Sequence, residues 1–337
     1  WQKLLNLDYH RIKELLGPSA KVVITTHRSP DGDAIGSSLG LYHFLILNGL
    51  EVSVIIPDRD PEFLHWMRGH DLITVFESDQ EKSKTLINDA DVIFSLDYNR
   101  LDRIAELGSR VERASATKIL IDHHIDPADY FNFSLSDTTA SSTAELVFRF
   151  IDSLGWKELL NKDIAECLYA GIMTDTGSFK FSSTSAFTHR VVADLMDVGL
   201  VPDKVHNAIF DNSSFDRLQL VGFALSNKFE FDAERGVSII GISLNEKNRF
   251  KYQKGDTEGL VNYGLSVKGA KMAVFLSEEL NFTKFSFRSK GQIDVNKIAR
   301  GYFNGGGHKN AAGGRLDMSL KESINYLKDV IENKITL

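Results

Sequence analysis

Cysteine is almost absent from this sequence. Cys167 is the only one among 337 residues, so no internal disulfide can form and a structural zinc cage of thiolates is disfavoured. Its setting in "AECLYAGI" reads as a buried helix face, and we assign it to packing. Long apolar runs are missing too: none approaches the roughly 18 residues of a membrane span. The N-terminus lacks the basic-then-apolar pattern of a signal peptide, so a cytoplasmic location without membrane attachment is expected. Nor is there a basic surplus, the formal net charge being −7. Binders of long duplexes usually carry a basic face, so a large nucleic-acid footprint is disfavoured and a short one is not. What is present, 42% hydrophobic and 25% charged residues, is ordinary globular composition with enough length for two domains with cores of their own. There is no internal repeat or low-complexity segment.

The charge is unevenly spread. Residues 228–337 hold 18 Lys+Arg against 13 Asp+Glu, whereas residues 1–227 hold 21 against 33. Scattered solvated faces would give this asymmetry; an acidic part that holds cations and a basic part that grips an anion is the sharper reading.

Periodicity divides the chain in the same way. "KVVITTH" (21–27), "EVSVIIPD" (51–58), "DVIFSLD" (91–97) and "TKILIDHH" (117–124) are short β-branched runs, with helical patterns such as "AIGSSLGLYHFLILNG" between the first two. That alternation predicts an α/β domain with a parallel sheet and helices on both faces. Segments 141–155, 162–177 and 185–199 read as helices punctuated by glycine. From about Phe229 the texture changes to "FEFD", "VSIIGIS", "KMAVFLS" and "TKFSFRS", a smaller second α/β domain. The expected organisation is a first domain over 1–200, a partly helical connector over 201–228 with Pro202 and the polar "DNSSFD", and a second domain over 229–337.

Three of the four strands end in metal-type ligands. "THRSPDGD" follows the first and supplies His27, Asp31 and Asp33; Asp97 closes the third; Asp122, His123 and His124 close the fourth. The carboxyl edge of a parallel sheet is where ligands bind. Asp175, in "GIMTDTGSF" after a helix, is a further candidate. One Asp at a strand end is usually a cap, but so many acids in one crevice need cations to offset their repulsion. Carboxylates with a minority of imidazoles suit Mn²⁺, with Mg²⁺ or Zn²⁺ as options. Their number suggests two ions, which can share an activated hydroxide and clamp an in-line phosphoryl displacement. Phosphate-ester hydrolysis is the natural reading. The six other histidines, His10, His43, His65, His70, His189 and His206, read as ordinary surface or core residues.

In the second domain, "FNGGGHKNAAGG" (303–314) places Gly305, Gly306 and Gly307 before His308. The glycines allow close backbone approach to an anion, and "HKNAAGG" begins like a helix whose N-terminal amides face a ligand. With Arg288 in "FSFRS" these residues read as substrate binding: Arg288 would clamp a phosphate bidentately and His308 would contact the scissile or a neighbouring one. Arg103, in "NRLDRI", faces the same cleft or makes an exposed helical salt bridge.

In order and spacing, "THRSPDGD", "SLD" (95–97), "IDHH" (121–124) and "MTDTG" (173–177) resemble the four metal motifs of the DHH phosphoesterases. The GGGH segment resembles the signature of the associated C-terminal domain, so the likeness covers essentially the whole chain. It implies an active site in the cleft between the two domains. It also implies one Mn²⁺ on His27, Asp31 and Asp97 and another on Asp33, Asp97, His123 and Asp175, with Asp97 bridging. Asp122 and His124 would lie behind the ligands or face phosphate. The compact layout is similar to the NrnA-type nano-RNases of that family. These degrade short oligoribonucleotides to mononucleotides and remove the 3′-phosphate of pAp (adenosine 3′,5′-bisphosphate), giving AMP. Partners would be short single-stranded RNA or DNA, pAp or dinucleotides, with the enzyme a monomer or homodimer. Alternatives are a cyclic di-AMP or pApA phosphodiesterase, a RecJ-type single-strand exonuclease, which usually has further nucleic-acid domains, and a nucleotide-sensing module with a degenerate site. Family II pyrophosphatases share the first domain but lack the GGGH signature.

Overall fold

The β-branched runs of the first half become the centre of a parallel sheet. Its strands are β1 (Lys21–Thr25), β2 (Glu51–Ile56), β3 (Thr74–Val75), β4 (Val92–Leu96), β5 (Thr117–Asp122) and β6 (Phe133–Ser136). They lie in the order β3-β2-β1-β4-β5-β6, every pair parallel. The computed structural model describes residues 7–335. One unit runs to Asn212 and a second begins at Ser213. The two edge strands, β3 and β6, are additions to the four read from sequence; with two and four residues, they are too short to show a periodic pattern.

Helices cover both faces of this sheet: α1 (Tyr9–Leu15), α2 (Gly32–Leu47), α3 (Gln80–Asn88), α4 (Glu106–Arg113), α5 (Thr143–Ser153), α6 (Lys162–Asp175), α7 (Ala186–Asp197) and α8 (Pro202–Phe210). Alternation along the strands decides which side chains meet which helices. Val22 and Ile24 join Phe44, Leu146 and Leu168 in one core. Val23, between them, joins Ile87 and Leu107 on the opposite face. α2 is buried along most of its length, because it lies against α6. A Cβ at Gly36 would stand 2.5 Å from the Cys167 carbonyl oxygen, so glycine is required for that approach. Cys167 is buried in this interface and its burial raises the thiol pKa. That is a packing environment rather than a reactive one.

Strand order reverses between β1 and β4. Such a reversal leaves a crevice outside the carboxyl ends, since the two connections leave in opposite directions. β1 and β4 pair with Thr25 opposite Ser95, so the residues two positions on, His27 and Asp97, emerge at the same level. Beneath them the buried Tyr98 hydroxyl bonds to Thr25 and Ser95 at 2.7 Å each, satisfying polar groups that would be costly to bury alone.

The second unit starts with α9 (Phe215–Asn227). A mixed sheet of β7 (Phe229–Asp232), β8 (Val237–Ile242), β9 (Met272–Glu278), β10 (Thr283–Ser289), β11 (Gly306–His308) and β12 (Ala311–Leu316) follows, in the order β11-β12-β10-β9-β8-β7. Only β8 and β9 are parallel. α10 (Leu244–Arg249), α11 (Leu260–Ser266), α12 (Val295–Tyr302) and α13 (Leu320–Asn333) complete the unit. One expectation is corrected here: "HKNAAGG" is not a helix start but the turn and second strand of an antiparallel hairpin, with Gly306 opposite Gly313 and His308 opposite Ala311. A Cβ at Gly307, where φ is +152°, would come within 2.5 Å of the Ala311 carbonyl oxygen. The glycines therefore serve close strand approach rather than a helix N-terminus. Among the described residues, no helix is long and apolar enough to cross a membrane.

Candidate metal centre

The six proposed ligands arrive at one sheet edge from four directions. His27 follows β1, and its Nδ1 lies 2.9 Å from the Arg28 carbonyl oxygen. A carbonyl can only accept, so this contact places the proton on Nδ1 and turns Nε2 inward as a ligand atom. Asp31 is the N-cap of α2, its Oδ1 accepting from the backbone N–H groups of Asp33 and Ala34 at 3.1 Å each. Asp33, in the first turn of that helix, is buried. Asp175 is the last residue of α6, and the close α2–α6 packing brings it to the same place.

Asp97 stands in the middle. It has φ +62°, a left-handed conformation that is uncommon outside glycine and clusters at functional sites. His27 Nε2 lies 3.2 Å from its Oδ2, while His123 Nε2 lies 3.5 Å from its Oδ1. Each carboxylate oxygen thus faces a different histidine. His123 Nε2 is also 3.6 Å from Asp175 Oδ2 and 3.9 Å from Asp33 Oδ2. Two groups result, His27–Asp31–Asp97 and Asp33–His123–Asp175, in each of which one ligand atom per residue lies within 4.8 Å of the others. Either group can hold a metal ion.

The electrostatics call for cations. Burial, and then the charges of Asp97, Asp175 and Asp31, push Asp33 well above the usual carboxylate range. Burial disfavours a charged His27, but the carboxylates of Asp31 and Asp97 beside it outweigh this and raise it to about 10. Burial likewise opposes an ionised Asp31, which His27 nevertheless holds below its ordinary value. Without metal, a proton on His27 thus does part of the work of a cation, and a divalent ion fits this donor set better.

The remaining strand-end residues support the ligands. Asp122 is buried at the end of β5 and accepts from His124 twice, from Nδ1 at 2.7 Å and from the backbone N–H at 3.1 Å. This fixes the His124 ring behind Asp97, with Nδ1 3.7 Å from Asp97 Oδ1. Burial moves Asp122 up to about 6 and His124 down to about 3. Arg103 sits in a short 3₁₀ turn, half-buried, and its charge reaches both Asp122 and His124. Its backbone carbonyl accepts from Arg28 N–H at 2.9 Å, tying that turn to the His27 loop.

Sequence reasoning missed the N-terminus of α5. The backbone N–H groups of Thr143 and Ala144 donate to Asp33 Oδ2 at 2.6 Å and Oδ1 at 2.9 Å, and the Thr143 hydroxyl donates to Asp97 Oδ1 at 3.0 Å. Ser142 caps the helix by accepting from Glu145 N–H at 3.1 Å. The signal was available in "SSTAEL", where a cap residue is followed three positions later by Glu, a helix-start pattern. In the second unit, Arg288 on β10 is opposite Ala311 on β12, and Ala311 is opposite His308 on β11. Residues opposite one another share a face, so Arg288 and His308 belong to one side of this sheet. Gly307 N–H donates to the side chain of the buried Asn296 at 3.0 Å, which fixes the glycine segment.

Residues 21–172 match the family model described as DHH family, N-terminal domain, and residues 236–336 match the DHHA1 domain. The chain is 30% identical to the Bifunctional oligoribonuclease and PAP phosphatase NrnA of Thermus thermophilus, over 100% of this chain and 95% of that one. The chain belongs to the DHH family. As a member it is a hydrolase acting on phosphoester bonds. The protein of the same name from Bacillus subtilis is 28% identical, over 92% of this chain and 93% of that one. Among solved structures, an exopolyphosphatase-related protein from Bacteroides Fragilis superposes with a TM-score of 0.92 at 39% identity, covering 96% of this chain and 95% of that one.

Proposed function

We propose that this DHH protein is a Mn²⁺-dependent enzyme that hydrolyses short oligoribonucleotides to mononucleotides and converts pAp to AMP. The observation that carries the reading is Asp97, whose two oxygens face His27 and His123 separately, the disposition of a carboxylate shared by two ions. His27, Asp31 and Asp97 would hold one ion, and Asp33, Asp97, His123 and Asp175 the other. When bound, such ions supply positive charge to the phosphoryl group and make water nucleophilic at neutral pH. The chain's own part is to orient the ligands through Thr143, Ala144 and the Arg28 carbonyl. His124, held by Asp122, would support Asp97 from behind or meet phosphate. Arg288 would clamp a phosphate, with His308 and the Gly305–Gly307 segment beside it. The full-length relatives named for both activities support this substrate class.

The test is one Mn²⁺-loaded preparation assayed against pAp, RNA from dimers to about 24 nucleotides, cyclic di-AMP and pyrophosphate. The expected result is turnover of pAp, and kcat/KM highest at about two to four nucleotides. Rates that climb steadily with length and fall steeply with salt would report many phosphate contacts and replace this reading with a single-strand exonuclease. Preference for cyclic di-AMP would replace it with a cyclic-dinucleotide phosphodiesterase.

A further inference from the structure

Three ligand-type side chains outside the acidic centre meet in the loop between β2 and β3. Asp60, His65 and His70 are spaced five residues apart. Asp60 is 7% exposed, and its carboxylate faces both histidines. His70 Nε2 lies 2.9 Å from Oδ2, and His65 Nε2 lies 3.7 Å from Oδ1. The imidazoles stack with centroids 4.1 Å apart at 28°. One ligand atom from each residue falls within 4.8 Å of the other two.

The loop is built to hold this arrangement. His65 ends a 3₁₀ turn (Glu62–Leu64) with its N–H on the Glu62 carbonyl at 3.0 Å, and His70 opens another (His70–Leu72) with its N–H on the Met67 carbonyl at 3.1 Å. Between them Leu64 and Met67 are buried in the large core of this unit, which anchors the backbone on either side of the rings.

Hydrogen bonding accounts for only half of the cluster. The 2.9 Å contact of His70 is a bond, but 3.7 Å is too long for one, so His65 gains none from facing the carboxylate. Two protonated rings stacked at 4.1 Å would repel each other. One cation in front of all three groups gives each donor a partner and neutralises the buried Asp60. Two imidazoles, one carboxylate and no thiolate make a three-ligand set with room for solvent, which suits zinc, cobalt or nickel better than magnesium or manganese. The acid-rich centre has the opposite preference.

We propose that Asp60, His65 and His70 form a separate site for a zinc-class divalent ion. His65, 46% exposed in its side chain, has the freedom to pivot and close the set. The site's position suggests a bracing role: Asp58, two residues before Asp60, accepts the Ser29 N–H at 2.7 Å, and Ser29 lies between His27 and Asp31. An ion on Asp60 would steady the loop that carries these two.

The experiment is equilibrium binding of Zn²⁺ to the full chain kept in saturating Mn²⁺, comparing wild type with His65→Ala/His70→Ala. Zn²⁺ that displaces Mn²⁺ from the acidic centre does so in both proteins, so the difference isolates the new site. Wild type should bind one equivalent more. Its Tm should rise with Zn²⁺ by roughly 2–4 °C beyond any rise in the variant. His65→Gln, a change at a largely exposed side chain, should weaken that equivalent at least about tenfold. Co²⁺ in place of Zn²⁺ should give a visible absorption band in wild type that is missing from the double variant. Circular dichroism without zinc checks that the variants are folded, and should the double variant unfold, His65→Gln alone decides. Equal zinc stoichiometry and equal zinc-dependent Tm in wild type and variants would overturn the proposal.

Discussion

The Thr143 hydroxyl donates to Oδ1 of Asp97 at 3.0 Å across 46 residues of sequence. It thereby orients the carboxylate that faces His27 on one side and His123 on the other in the candidate metal centre. Thr143→Val keeps the shape and the backbone N–H to Asp33 but removes this bond. The loss should be about 1–2 kcal/mol, seen as metal affinity and kcat/KM each falling roughly tenfold. Thr143→Ser should restore both. Unchanged metal affinity in Thr143→Val would show that the hydroxyl does not position Asp97.

Asp97→Asn should abolish turnover and lower metal content. A neutral amide cannot offset two cations, although it can still accept from Thr143. Metal analysis after dialysis, alongside activity, checks this. Near-normal activity with two bound ions would refute the shared role.

pH provides a third test through His27, raised to about 10 by Asp31 and Asp97 against the effect of burial. A histidine whose folded pKa lies above its unfolded value of about 6.5 stabilises the metal-free protein fully below that value. The contribution is lost as pH rises through about 10. Asp33, raised by burial and by its acidic neighbours, acts in the same direction. Metal-free protein should therefore lose thermal stability between about pH 6.5 and 9.5. Metal must displace the His27 proton, so affinity should increase by up to about tenfold per pH unit over that range, with proton release visible in weakly buffered solution. Affinity independent of pH would remove His27 from the ligand set.

Arg288→Ala separates binding from metal chemistry. Arg288 belongs to the second unit and is in none of the ligand groups of the acidic centre. Its loss should lower kcat/KM on dinucleotides by about 1–3 kcal/mol of charge-assisted contact while leaving metal content unchanged. An unchanged kcat/KM would take Arg288 out of the substrate site.

Much of the fold was legible because burial imposes periodicity. β1, β2, β4 and β5 lie within the four runs of β-branched residues, and the helices α5, α6 and α7 fall where the apolar spacing placed them. β3 and β6 were not legible, since edge strands of two and four residues are held by their neighbours rather than by a pattern of their own. The hairpin of "GGGHKNAAGG" was misread for a related reason. Glycine is compatible with a helix N-terminus and with close strand approach, and only the pairing of Gly306 with Gly313 decides between them.

By itself the sequence determined which residue types end the strands, and hence that acids and imidazoles collect at one sheet edge. Ligand chemistry is a property of side chains and can be read one residue at a time. The tertiary structure alone decided how the groups meet. The strand reversal between β1 and β4 sets His27 level with Asp97, and the α2–α6 contact brings in Asp175. The first turn of α5 reaches Asp33 from 110 residues away. His65 and His70, unremarkable in sequence, come to face the same carboxylate only when two short turns fold them back onto Asp60. Such convergence depends on distances between segments that no local pattern encodes, because it is set by the packing of elements against one another.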